Sequence, residues 1–176
     1  MSRIDLYTFI HKAQRAHLFA LSSRIGRADF SDEKEVNSIE QELRSMIFHL
    51  REHSVNETTF IHPLFHEIGD QISVIEHEHD DLEKELNKLE HILNEKDWKE
   101  LYPELNRFIA SYLTHQDEEE TMQVDILWKY FDDARLADVM TAYKKSRTPE
   151  QSVANLKFLA FGLSLPELTK MLQGAK

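Results

Sequence analysis

Apolar residues recur at alternating steps of three and four along four segments of the chain. This spacing places them on one face of an α-helix and is typical of helices that pack together in a bundle. The pattern predicts four helices over about residues 5–25, 33–62, 71–93 and 98–129, with Ser31-Asp32 able to cap the second. Gly26, Pro63, the Gly69-Asp70 pair and the Asn94–Asp97 segment fall between these helices, where helix-ending residues are expected.

The sequence after residue 130 predicts shorter helices. Thr148–Gln151 has the form of a capping box with proline at the first helical position, and Ser164–Glu167 has the same form. We predict a bundle over residues 1–130 and a helical extension over residues 131–176 that packs on it within a single domain. The predicted fold is therefore all-α, an antiparallel up-down-up-down four-helix bundle with additional short C-terminal helices.

Composition narrows the classes of partner and site. The 176 residues carry a formal net charge of −11, which argues against binding to nucleic acid or to an anionic membrane surface. No cysteine is present, so thiolate metal sites and disulfides are excluded. The longest apolar tract, Phe158–Leu165, is too short to span a bilayer, and no secretory signal is recognisable after Met1. We expect a soluble cytoplasmic protein.

Histidine is unusually frequent, with ten residues in the chain, and several interrupt the apolar rows. The second and fourth predicted helices each carry His-x-x-x-Glu near the middle of the row, and the first and third carry a lone histidine there. Residues four apart share a helical face, so these groups are expected to meet at one level of the bundle. The resulting set of candidate metal ligands is His11, His53, Glu57, His79, His115 and Glu119.

Buried carboxylates without compensation are costly, and a metal cation is the simplest compensating group. Imidazole and carboxylate without thiolate suit iron, manganese or zinc, and bridging carboxylates favour a pair of irons. Ferritin-type di-iron bundles repeat Glu-x-x-His on two helices. Here only Glu76-x-x-His79 fits that pattern, so a ferritin-type site is not predicted.

The chain resembles the hemerythrin-like, or HHE cation-binding, family of bacteria over about residues 5–130. The matching stretches are Ile10–Arg15, His53-x-x-x-Glu57 with Phe60–Pro63, Glu76–His79, and His115-x-x-x-Glu119-Glu120 with Leu127-Trp128. The tail, including Leu165-Pro166 and Leu172–Gly174, is similar to that of a subgroup of bacterial members.

The resemblance implies that the four histidines are terminal ligands and that Glu57 and Glu119 bridge two irons, which are also joined by an oxo or hydroxo group. Oxygen-carrying hemerythrins usually have a second histidine where this chain has Ile75. They also place an acidic ligand at the position of Glu120, whereas the helical register here favours Glu119. The coordination of one metal must therefore differ from that of an oxygen carrier.

Three further residues are open candidates. His62 precedes Pro63, where a bend would turn its ring inward, and His77 lies two residues from His79. Either is a possible additional metal ligand. Tyr112 precedes His115 on the same row and is a possible pocket residue beside the metals, although a core tyrosine is the commoner case.

The leading functional hypothesis is a non-haem di-iron protein that binds or senses oxygen or a related species such as nitric oxide or peroxide. The alternatives are an iron-dependent oxidoreductase, an iron-handling or repair protein, and an interaction module with a structural metal. Whether the chain is an enzyme and which protein partner it has stay open at the level of sequence.

Overall fold

The computed structural model describes residues 3–69 and 72–173, and these residues form helices joined by short connections, with no strand among them. The first half contains α1 (Thr8–Ile25), α2 (Glu33–Phe60), α3 (His62–Glu67), α4 (Ser73–Glu95) and α5 (Trp98–Met122). A π-helical segment (Gln123–Leu127) continues α5 into α6 (Trp128–Tyr130). The remaining helices are α7 (Asp133–Lys145), α8 (Pro149–Gly162) and α9 (Leu165–Gln173).

The long helices α1, α2, α4 and α5 form a four-helix bundle, which confirms the predicted fold class. α1 packs against α2 and α5, and α4 packs against the same two helices on the other side. The core lies between them and is built from the predicted apolar rows, for example Leu43, Leu86 and Leu105, each at most 4% exposed. Burial of these rows is the main source of stability for such a bundle.

The predicted helix ends are confirmed at two positions. α1 ends at Ile25 with Gly26 as its cap, and α2 begins directly after Asp32, whose carboxylate accepts hydrogen bonds from the amides of Lys34 and Glu35. The start of α1 differs, because the helix begins at Thr8 and not at Asp5. Asp5 instead lies just before the helix, where its carboxylate accepts hydrogen bonds from the backbone amides of Tyr7 and Thr8.

The second predicted helix is divided near its end. α2 stops at Phe60, and α3 begins at His62 with Pro63 in its first turn, where proline is well tolerated. Gly69 adopts a positive φ of 74° in the predicted turn, a conformation that glycine adopts without strain. The predicted turn residue Asp70, the predicted helix start Gln71 and the tail residue Gly174 lie outside the described residues.

The fourth predicted helix also differs, since α5 changes to π-helical geometry at Gln123 before ending near Tyr130. A π-helical turn holds one extra residue and rotates the rest of the helix relative to its beginning. As a result, the side chain of Gln123 reaches the start of α1, where it accepts from the amide of Leu6 and donates to Asp5. The end of the fourth helix is thereby tied to the beginning of the first.

The C-terminal helices pack on the bundle through α8, which lies against α1. Phe158 and Leu159 join the core of the bundle, and a Cβ added at Gly162 would lie 2.4 Å from the Cα of Ala13. The capping box is confirmed at Thr148–Gln151. At the second predicted box, Glu167 accepts from the amide and hydroxyl of Ser164. The division of the chain at residue 130 stays a prediction.

Each described helix is either too short or too polar to cross a lipid bilayer.

Candidate metal centre

Histidine and glutamate side chains from all four long helices meet toward one end of the bundle, early in α1 and α4 and late in α2 and α5. α1 and α4 each contribute one histidine, and α2 and α5 each contribute a histidine and a glutamate four residues apart, so that both point from one helical face. The residues brought together are the six named from the sequence: His11, His53, Glu57, His79, His115 and Glu119.

The first half of the centre lies between α1 and α2. The Nε2 atoms of His11 and His53 are 3.3 Å apart. Oε1 of Glu57 lies 2.9 Å from Nε2 of His53, and Oε2 of Glu119 lies 3.3 Å from Nε2 of His11. Four atoms that can each donate an electron pair to a cation therefore surround one small volume.

The second half lies between α4 and α5 and repeats this arrangement. The Nε2 atoms of His79 and His115 are 3.1 Å apart. Oε2 of Glu57 lies 3.6 Å from Nε2 of His79, and Oε1 of Glu119 lies 3.3 Å from Nε2 of His115. Each glutamate thus presents one oxygen to each half of the centre.

The two glutamates are nearly inaccessible to solvent, each with 2% of its surface exposed. None of their four carboxylate oxygens accepts a well-formed hydrogen bond from the described residues. Buried carboxylates in this condition are strongly destabilising unless a cation neutralises them. The donor set, two imidazoles and two carboxylate oxygens in each half, fits a pair of metal ions of the iron, manganese or zinc type.

Two outer carboxylates fix the orientation of the imidazoles that face the bundle interior. Nδ1 of His11 lies 2.9 Å from Oε1 of Glu120, and Nδ1 of His115 lies 2.9 Å from Oε2 of Glu78. When Nδ1 carries the proton, the lone pair of Nε2 points into the centre, which is the arrangement a metal ligand requires. The helical register therefore separates the adjacent glutamates: Glu119 faces the centre, and Glu120 supports a histidine from outside.

The role of Glu78 and Glu120 was not predicted from the sequence. Each lies next in the chain to a residue of the centre, but on a different helix from the histidine it contacts. Only the packing of α4 against α5 and of α1 against α5 brings these partners together. Their position directly beside His79 and Glu119 is the one signal that the sequence offers.

Neighbouring carboxylates strongly affect the protonation of His11 and His115, the two histidines whose Nδ1 atoms face Glu120 and Glu78; these two are called the inner histidines. Burial lowers the pKa of His11, but its contacts with Glu119 and Glu120 outweigh burial and raise that pKa to about 10. Burial likewise opposes the charge on His115, whereas Glu119 and Glu78 raise its pKa to about 9. Burial raises the pKa of Glu119, yet these histidines hold it well below its usual range. In the metal-free protein the centre is therefore a set of buried ion pairs.

Metal uptake at pH 8 is expected to release about two protons per chain, because a ligating imidazole must be neutral. Both inner histidines are protonated at this pH in the metal-free protein, since their pKa values are about 10 and about 9. The measurement is the base consumed at constant pH during titration with ferrous iron. The apparent affinity for iron should rise as the pH approaches these pKa values. The metal-free fold should lose stability over the same pH range, because the ion pairs between the histidines and the glutamates are lost. Release of no protons would show that both rings are already neutral.

His62 lies beside the centre and not within either ligand group. Its side chain is 2% exposed, and neither ring nitrogen has a hydrogen-bond partner among the described residues. The ring stacks on that of His79 with centroids 5.4 Å apart. Burial and the neighbouring His79 lower the pKa of His62, so its ring is neutral. The inward turn predicted at Pro63 is thus present, and the role of His62 as a ligand stays a prediction.

His77, the other possible additional ligand named from the sequence, is not among the residues brought together at the centre. Its side chain is 75% exposed and lies 3.7 Å from Asp81 on the same helix. Two residues of separation turn it through about 200° from His79, so the two rings leave the helix on nearly opposite sides.

Tyr112 is buried next to the centre, with its ring centroid 6.0 Å from that of His115. Tyr7 occupies a comparable position beside His11 at 5.4 Å. Burial raises the pKa of both phenols well above the usual value, and the charges of Glu57 and Glu119 add to this effect. Both tyrosines therefore keep their protons, and the Tyr112 hydroxyl has no hydrogen-bond partner among the described residues.

Two cavities reach the centre from different sides. The larger, about 480 Å³, lies between α2 and α4 and is lined by His53, His79 and Tyr112. The smaller, about 160 Å³, lies between the first two helices and the C-terminal helices and also touches His53. Both cavities have mainly apolar walls with charged residues among them, for example Arg51 and Glu76 in the first and Glu52 and Arg147 in the second.

The model of the hemerythrin HHE cation-binding domain matches residues 2–127, which include every residue of the centre. Searches of curated proteins and of solved structures return no match.

Proposed function

This chain belongs to the hemerythrin HHE cation-binding family, and from that premise we propose that it holds two irons at its centre and binds oxygen, nitric oxide or peroxide there. The observation that carries the proposal is that each carboxylate has one oxygen beside each of the two histidine pairs. Glu57 and Glu119 each have one oxygen in each ligand group. A carboxylate so placed is suited to bridge two cations.

The chemistry of the donors favours iron over other metals. Imidazole nitrogen and carboxylate oxygen without thiolate suit iron, manganese and zinc, and shared carboxylates are a feature of di-iron bundles. In the assignment proposed here, His11 and His53 ligate one ion, His79 and His115 ligate the other, and both glutamates bridge. Bound iron would supply the electrons that a reaction with oxygen or peroxide needs.

Space for a small ligand supports the second part of the proposal. Each half of the centre supplies four protein donor atoms, which leaves positions open on an ion that accepts six. Ile75, which replaces a histidine usual in oxygen carriers, is buried and contributes no donor. The cavity between α2 and α4 reaches His53 and His79, so a small molecule can approach the centre without displacing a helix.

The test is metal analysis of the purified protein, followed by absorption spectra and oxygen-electrode measurements after anaerobic reduction with iron present. About two irons per chain and oxygen uptake in proportion to iron are the expected results. A protein that holds two irons but consumes no oxygen, nitric oxide or peroxide would retain the metal assignment and contradict the ligand. Zinc as the sole metal after expression in iron-rich medium would contradict both.

A further inference from the structure

A second site lies beside the proposed metal centre, in the smaller cavity that the C-terminal helices close. Its volume of about 160 Å³ is close to that of protein cavities that hold one benzene molecule. Its walls are largely apolar and include Phe9, Phe60, Val139 and Leu159, with His53 at the side that faces the centre. Apolar walls of this kind bind apolar ligands.

One cation interrupts this apolar lining. Arg147 lies in the connection between α7 and α8, lines the cavity and has only 11% of its side chain exposed. Its Nε is buried and has no hydrogen-bond partner among the described residues. The carboxylate of Glu52 approaches Nη2 only to 3.6 Å, beyond hydrogen-bond distance, and the guanidinium lies 5.3 Å from the ring centre of Tyr143.

A buried donor without an acceptor destabilises the protein, and the cost is greater for a charged group. The two Nη atoms of a guanidinium match the two oxygens of a carboxylate, which can accept both hydrogen bonds in parallel. A ligand inside the cavity would place its acceptor on these Nη atoms, because Nε has almost no accessible surface and is not reached from the cavity.

We propose that this cavity binds an apolar monocarboxylate of about the size of benzoate or hexanoate, with its carboxylate on Arg147. The hydrocarbon part lies against Phe60 and Leu159 and extends toward His53. The proposal goes beyond the function proposed above and does not depend on it, because Arg147 and the apolar walls are present whether or not metal is bound.

The charges around the cavity set the orientation of this ligand. Glu57 lines the inner side and repels an anion, so the carboxylate is directed to Arg147. Two further carboxylates line the cavity: Glu52 faces Arg147 at 3.6 Å, and Asp5 accepts hydrogen bonds from the amides of Tyr7 and Thr8. Larger or multiply charged anions are disfavoured, since the apolar walls offer them no further donors.

The experiment is a calorimetric titration of the full-length protein, metal-free and metal-loaded, with benzoate and with benzyl alcohol as its neutral analogue. Wild-type protein should bind benzoate saturably and more tightly than benzyl alcohol. Arg147→Met should weaken benzoate at least tenfold and leave benzyl alcohol unchanged. Arg147→Lys keeps the charge but removes the paired donors of the guanidinium, so its affinity for benzoate should lie between those of the wild type and Arg147→Met. Arg135→Met on α7, whose partner is the exposed Glu67, is the matched control and should bind as wild type does.

Equal binding of acid and alcohol by wild-type protein, or of benzoate by Arg147→Met, would overturn the proposal and leave only an apolar cavity. Absence of saturable benzoate binding would overturn it as well. Circular dichroism confirms that each variant is folded before titration. Benzoate binding to metal-free protein separates this outcome from the outcome of the oxygen measurements, which require iron.

Discussion

Glu119→Gln is expected to reduce metal bound by the purified protein from about two ions per chain to well below one. One oxygen of this carboxylate faces His11 at 3.3 Å, and the other faces His115 at 3.3 Å. Glutamine keeps the shape but removes the negative charge and one of the two ligating oxygens. An affinity loss of at least about 100-fold is expected, because changes to groups that merely support ligands already cost 10–100-fold. Metal analysis after dialysis against a weak chelator measures it.

The neighbouring carboxylates provide graded controls for this result. Asp117→Asn makes a comparable change at an exposed position of α5 and should leave the metal content unchanged. Glu120→Gln removes the negative charge beside Nδ1 of His11 and so weakens its support without changing a ligand of the centre; a loss of about 10-fold is expected. Retention of both metals by Glu119→Gln, or equal losses in Glu119→Gln and Glu120→Gln, would contradict the assignment of Glu119 as a bridge.

Gly162→Ala is expected to lower the free energy of unfolding by about 2–3 kcal/mol, even though alanine is the better helix former. The added Cβ would lie 2.4 Å from the Cα of Ala13 and 2.8 Å from the carbonyl oxygen of Lys12. Both atoms belong to the main chain of α1, so no side-chain rotation can relieve the overlap. α8 must move away from α1, which loosens the packing of Phe158 and Leu159. Chemical denaturation with urea measures the change.

A substitution on the exposed face of the same helix separates this effect from helix propensity. Ala154→Val enlarges an exposed side chain of α8 and should lower the free energy of unfolding by no more than about 0.7 kcal/mol, the span of helix propensity among ordinary residues. Greater stability of Gly162→Ala than of the wild type would mean that α8 does not lie as close to α1 as described.

The centre was predictable because its residues replace aliphatic side chains in rows that repeat over several helical turns. The register of α5 that places Leu105, Phe108 and Tyr112 in the core also places His115 and Glu119 there, and it turns Glu120 outward. Because this row extends over several turns, a small error in the rotation assigned to each residue would move the residues at its end out of the core. The antiparallel bundle followed from the same rows together with the short connections between them.

Features that depend on contacts between distant segments were not predictable in the same way. Proline indicated a bend before Pro63, but His62 is buried where it shares a small pocket with Phe65 and Ile72, and local spacing does not encode that surrounding. The π-helical turn at Gln123 has no sequence signature that separates it from regular helix. The position of Arg147 follows from how α7 packs on α2 and α8 packs on α1, which local spacing does not encode.

The outer carboxylates divide the proposed centre into a braced side and an unbraced side. His11 and His115, on α1 and α5, are each held through Nδ1 by a glutamate, whereas among the described residues Nδ1 of His53 and of His79 has no such partner. The unbraced histidines belong to α2 and α4, the two helices that flank the larger cavity. Metal loading and exchange are therefore expected to proceed through the α2–α4 face. There the imidazoles of His53 and His79 can rotate away from the centre, while those of His11 and His115 keep their orientation.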